Sequence, residues 1–240
     1  MMLFPIKSSS IALSIALCAS TALSLSVTSP RTFSSRTCNM ASSSCNGDKR
    51  FPPLTPVDDN LDAAQLVQYN YLADITKVVY GTTIVTENPD GSLQGPFNML
   101  LYTPTVAQPW VNLQLAVAGL LVSSEAEVAV LGVLSVTKAT YGIYAHTILA
   151  EKAGLTAAQV KALLVGRCPP SVTKRQEAIY HVAVKLTQTR GPLDIASFKA
   201  AEAVLGQAGV LGAVQQSAAF MYASMMLNAG DVCLPSGVEC

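Results

Sequence analysis

Proton chemistry near neutral pH needs an imidazole, and this chain has two, His146 and His181. His146 follows an apolar helical run in YGIYAHTILAEKAGL, and the nearest earlier acids are Glu127 and Glu125. On one straight helix the residues from Glu127 to His146 would span about 28 Å, so direct pairing requires a break. TKATYG, at Thr137 to Gly142, supplies weak helix formers where that break is needed. Two helices folded back on each other would then let a carboxylate orient the ring for general acid or base work. Two competing readings stand beside this one. A lone histidine on an apolar face is often structural, and Ser124 with Glu127 has the S-x-x-E spacing of a helix capping box. His181, in EAIYHVAVKL, reads as helical packing or surface.

Other chemistries lack their residues. Acyl transfer through a nucleophile elbow would need GxSxG, and phosphate cradling would need a P-loop or GxGxxG; none occurs. There is no CxxC, and two histidines fall short of a zinc set, so neither a metal nor a cofactor is expected. Net charge is zero with scattered Lys and Arg, which excludes the basic stripe a nucleic-acid partner would require.

Residues 1 to 47 carry no Asp or Glu, and Lys7 precedes an apolar run from Ile11 to about Leu25. That layout predicts a signal peptide over residues 1–24 and entry into the secretory pathway, leaving no membrane span in the mature form. Residues 25–50, rich in Ser, Thr and Arg, read as a disordered spacer or as a plastid transit segment within a two-part address. After cleavage five cysteines remain. Cys38 with Cys45 and Cys233 with Cys240 are conceivable local pairs in an oxidising compartment, leaving Cys168 as a small buried hydrophobe.

The elements that must position these groups are helical throughout residues 51–240. Leu66, Tyr69, Leu72, Ile75, Val78 and Val79 recur at three- and four-residue steps, predicting an amphipathic helix over Leu61 to Tyr80. ENPDG reads as a turn, and Pro96 and Pro104 bracket a short helix. Apolar runs at Val111 to Val122 and Val128 to Val136 predict buried helices. Thr156 with Gln159 and Thr173 with Gln176 mark two further helix starts, and Asp194 caps another. Gly154, Gly166 with Pro169 and Pro170, and Gly191 with Pro192 are expected to end three helices, and the last two helices are expected over Ser197 to Leu205 and Val210 to Asn228. The only strand candidate, TTIVTE, is too short to build a sheet, so the fold class is all-α. Half of the residues are hydrophobic and 12% are charged, which predicts burial between subunits of a homo-oligomer.

Several segments resemble the carboxymuconolactone decarboxylase-like family of the alkylhydroperoxidase D-like superfamily. They are GPFNMLLYTP at Gly95 to Pro104, AEVAVLGV at Ala126 to Val133, YGIYAHTILAEKAGL, and the later EAIYHVAVKLTQTRGPLD, SFKAAEAVLGQAGVLGAV and MYASMMLNAGDVCLPSGV. The resemblance covers about Phe51 to Val238 and implies a compact multi-helix bundle assembling as trimers or hexamers. Where the redox branch carries an acid, a CxxC pair and a His, this chain has Glu127, Ala139, Gly142 and His146, so its thiol peroxidase mechanism has no thiols to run on. Where the decarboxylase-like branch has R-E-L and Y-E-W-x-x-H, Ala126, Gly142 and Ile143 replace Arg, Glu and Trp while Glu127, Tyr141 and His146 remain. The resemblance thus implies a lyase acting on a small lactone or carbonyl compound, with His146 as acid or base, Glu127 orienting it, and Tyr141 and Asn98 as substrate contacts. Loss of the Arg argues against a carboxylated substrate and for a greasier pocket. The rival expectation is a non-catalytic helical oligomer that binds a hydrophobic small molecule.

Overall fold

The computed structural model describes residues 50–58, 60–235 and 237–238. The signal-peptide and most of the spacer or transit readings, with Cys18, Cys38, Cys45 and Cys240, fall outside the described residues. Side-chain caps set many of the helix boundaries. α1 (Ala63–Tyr80) starts at Asp62, which forms a capping box with Gln65. α6 (Ala157–Leu164) and α7 (Lys174–Thr189) begin with the Thr156/Gln159 and Thr173/Gln176 boxes expected from sequence. α8 (Ile195–Gly230) starts at Asp194, whose carboxylate accepts from the Ser197 amide. Each such cap satisfies amide groups that the first turn leaves without partners.

The remaining helices are α2 (Pro96–Leu100), α3 (Pro104–Ala118), α4 (Ser123–Thr137) and α5 (Thr140–Lys152). Pro104 opens α3 rather than closing α2, because a proline at the first helical position sacrifices only an amide that has no partner there. The Ser124/Glu127 capping box does not form: Val122 occupies the cap, and both residues lie inside α4. α8 is broken at Gly206, whose φ of 69° and ψ of 169° interrupt the helix within the expected interval. Among the described residues there is no strand; TTIVTE contributes one antiparallel bridge, Glu87 to Leu93, across the ENPDG turn.

α4 is buried around nearly its whole circumference, from Glu125 to Ser135 apart from Glu127, and it packs against α7 and α8. An apolar helix without a polar stripe belongs in the middle of a bundle. One side of the core gathers Leu72, Leu100, Leu101 and Leu134, with the C-terminal part of α8 closing over it. The other gathers Val128, Leu131, Leu163, Ile179 and Tyr180. Each fully buried aliphatic side chain contributes about 1.5–3 kcal/mol of transfer free energy. α1 departs from its expected face, since Tyr69, Leu72, Ala73 and Thr76 point inward while Val78 and Val79 are exposed. Leu113, Leu120, Val122, Leu211 and Met225 are also exposed. No single described helix is long and apolar enough to cross a membrane; α3 and α4 pass that test only as a pair bent by 120°.

Candidate functional site

The break between α4 and α5 creates the site. Lys138 takes the left-handed conformation at the end of α4, φ 57° and ψ 28°, and Ala139 starts α5 directly. Two contacts hold this turn: Asn228 Nδ2 donates to the Thr137 carbonyl at 2.8 Å, and Lys138 Nζ donates to the Leu164 carbonyl at 2.9 Å. The reversal brings His146 Nδ1 to 2.8 Å from Glu127 Oε2. A carboxylate only accepts, so Nδ1 donates and Nε2 is the nitrogen left for a substrate proton. The His146 ring also packs edge-on against Phe220 of α8, with centroids 4.5 Å apart. Both members of the pair are largely withdrawn from solvent, their side chains 19% and 16% exposed.

They form one wall of a cavity of about 290 Å³. α1 contributes Tyr80 and Ile75, α2 Phe97, α3 Trp110 and Gln114, α4 Ala126, α5 Tyr141 and Ala145, and α8 Gln216 and Phe220. Convergence of many elements on one mostly apolar hollow with a few polar groups is the usual anatomy of a small-molecule site. Gly142 also lines it, yet there is no room there for a side chain, because a Cβ would lie 2.9 Å from Leu134 Cδ2 and 3.4 Å from Phe220. The missing side chain at 142 is therefore filled by neighbours and does not enlarge the cavity.

The other two expected contact residues part company. Tyr141 lines the cavity, but its hydroxyl donates to the Val85 carbonyl at 2.7 Å, while the Tyr144 hydroxyl accepts from the Val85 amide at 3.1 Å. The Tyr141 phenol is thereby held at one backbone group, and burial pushes its pKa far up. Asn98 does not reach the site. Its Oδ1 accepts from the Leu54 amide at 2.9 Å, and its Nδ2 donates to the Phe51 and Pro52 carbonyls, so it fastens the proline-rich lead-in to α2. His181 is exposed on α7, its ring against Tyr180, as expected of a surface residue.

Sequence reasoning missed Tyr80 and Trp110. Tyr80 reads as the last apolar residue of α1, yet it faces the cavity near Glu127; burial first, and that carboxylate second, push its phenol up to about 12. Trp110 is the only tryptophan of the chain, and its indole Nε1 is buried without a hydrogen-bond partner among the described residues. No local signal marked Tyr80, because its approach to Glu127, 47 positions away, is set by how α1 packs.

Among the described residues no cluster of His, Cys, Asp or Glu is arranged to hold a metal ion. Cys233 is disulfide-bonded, with its pairing outside the described residues, and Cys168 is a free thiol raised by burial and by Glu177. Neither cysteine lines the cavity. No protein-family model, no curated protein and no solved structure matches this chain.

Proposed function

We propose that this protein transfers a proton at the carbon next to the carbonyl of a small lactone or related carbonyl compound, the proton step that a lyase acting on such a compound needs, with His146 as the base and acid. The observation that carries the reading is the 2.8 Å contact between His146 Nδ1 and Glu127 Oε2 at the wall of a mostly apolar cavity. Glu127 fixes the tautomer and supports the imidazolium that forms when Nε2 takes the proton. The α C–H bond breaks, its electron pair moves into the enolate, and the same imidazolium returns a proton to complete the cycle. The mostly apolar lining strengthens these charge interactions by lowering the local polarity.

Membership of the carboxymuconolactone decarboxylase-like family, a bundle of the alkylhydroperoxidase D-like type, assembly into a homo-oligomer and passage through the secretory pathway or into a plastid belong to this same reading. The exposed Leu113, Leu120, Val122, Leu211 and Met225 support the assembly, and the lack of thiols at Ala139 and Gly142 sets the reading apart from the peroxidases.

Deuterium incorporation next to the carbonyl, followed by proton NMR in D₂O over a panel of small lactones and cyclic ketones, tests the proposal. Exchange that falls by about 10²-fold or more in His146→Gln supports it. Exchange equal in the two proteins, or absent from both, overturns it and leaves a protein that only binds small apolar molecules.

A further inference from the structure

The cavity walls contain no Lys or Arg, and their single charged group other than His146 is the Glu127 carboxylate. An anionic ligand would enter a mostly apolar space with no Lys or Arg to meet it, beside a histidine already paired with a carboxylate. Burial of an unpaired charge beside a like charge is among the least favourable arrangements a protein can offer. The remaining polar groups are neutral. Gln114 is engaged, its Nε2 donating to the Ala219 carbonyl at 3.1 Å. Trp110 Nε1 and Gln216 Oε1 are buried with no hydrogen-bond partner among the described residues, and the hydroxyl of the half-buried Tyr80 makes no hydrogen bond among them either.

Orphaned buried polar atoms are uncommon, because each loses its hydration without recompense. Trp110 and Gln216, only 7% and 6% exposed, both line this cavity. The two donors, the Tyr80 hydroxyl and Trp110 Nε1, suit a neutral carbonyl oxygen, which accepts; Gln216 Oε1 is itself an acceptor and does not pair with it. Tyr80 lines the same cavity as the proton-transfer pair and feels the Glu127 carboxylate, which puts its donor on the side where charge would develop on that oxygen. A phenol held up near 12 stays protonated throughout the neutral range and so remains a donor.

We infer that the cavity accepts an uncharged, largely apolar carbonyl compound, and that the Tyr80 hydroxyl, not Tyr141 or Asn98, donates the hydrogen bond to its oxygen. This rests on the proton-transfer reading for the role of the oxygen, but it is tested by binding alone. Trp110 is the only indole and stands in the cavity wall, so its fluorescence reports occupancy.

The experiment titrates the full protein and its Tyr80→Phe variant with three matched probes: tert-butylcyclohexanone, its methylene isostere lacking the oxygen, and tert-butylcyclohexanecarboxylate. The expected result is saturable ketone binding, carboxylate binding at least about tenfold weaker, and a loss of roughly three- to tenfold in ketone affinity in Tyr80→Phe, the range of one hydrogen bond. The isostere should bind both proteins equally. Carboxylate binding as tight as the ketone, no saturable response to the ketone, or a Tyr80→Phe variant that keeps its ketone affinity or loses ketone and isostere together would each overturn the inference. Selective ketone binding without deuterium exchange would instead remove the proton-transfer reading and leave this one standing.

Discussion

Gly95 lies against the face of Tyr141 so closely that a Cβ on it would sit 2.3 Å from the ring's Cε1. The ring is anchored by its hydroxyl on Val85, and Gly95 itself has a φ of 69°, a left-handed value at the start of α2. Gly95→Ala therefore meets both steric overlap and backbone strain. A loss of about 2–4 kcal/mol is expected from the two together, seen as a lower urea midpoint with an unchanged slope. An unaltered midpoint would show that the ring has room to move.

Glu125, the other acid at the start of α4, is buried and held by Arg175 of α7 through two hydrogen bonds, of 2.7 and 3.1 Å. Arg175→Met should leave that carboxylate without a partner. Because Arg175 is about half exposed, water offsets part of the loss, and a cost of about 2 kcal/mol is expected. Adding Glu125→Gln should recover part of it, so the double variant should denature at a higher urea concentration than Arg175→Met alone. Additive losses would show that the two side chains act independently.

Asp194 caps α8, and hydrogen bonds from Ser197, together with Lys185, lower its carboxyl to about 2 from an ordinary value of 3.8. A folded-state value below the unfolded one gives stability that is complete above about pH 4 and lost as the pH falls toward 2. Asp194→Asn should accordingly be less stable than the parent at pH 7, with the gap closing as the medium is acidified through that window. Urea midpoints at three pH values measure it; a gap that is constant with pH would assign the cap no charge-dependent part.

The Cys168 thiol is raised by burial first and by Glu177 second. Less thiolate at neutral pH means slow alkylation. Iodoacetamide labelling followed by peptide mass spectrometry should find Cys168 modified more slowly than a cysteine in an unstructured peptide, and faster in Glu177→Gln. Labelling at the peptide's rate would restore a reactive thiol to the list of groups with chemistry.

What could be seen in the sequence was mostly what a short stretch of chain determines by itself. The caps at Thr156, Thr173 and Asp194 form because acceptor and amide are three residues apart, and the Lys138 turn forms where helix propensity falls. Once that turn exists, Glu127 and His146 meet. The same local logic misread Ser124, where the right spacing lies inside a helix already begun at Ser123. Long-range partners carry no such trace. Asn98 was expected among the substrate contacts, and it is instead engaged by the backbone of residues 51–54. Glu125 meets an arginine fifty positions away, and the orientation of Tyr80 depends on how α1 lies across the bundle.

The turn at Lys138 also separates two kinds of inheritance. Acid and imidazole are fixed within one hairpin, Ser123 to Lys152, whereas many of the walls that would choose a substrate belong to α1, α3 and α8. Substitutions at Ile75, Trp110 or Gln216 can reshape the hollow while the hairpin is copied unchanged. A lineage built on this plan can change what it accepts without having to reinvent how it moves a proton.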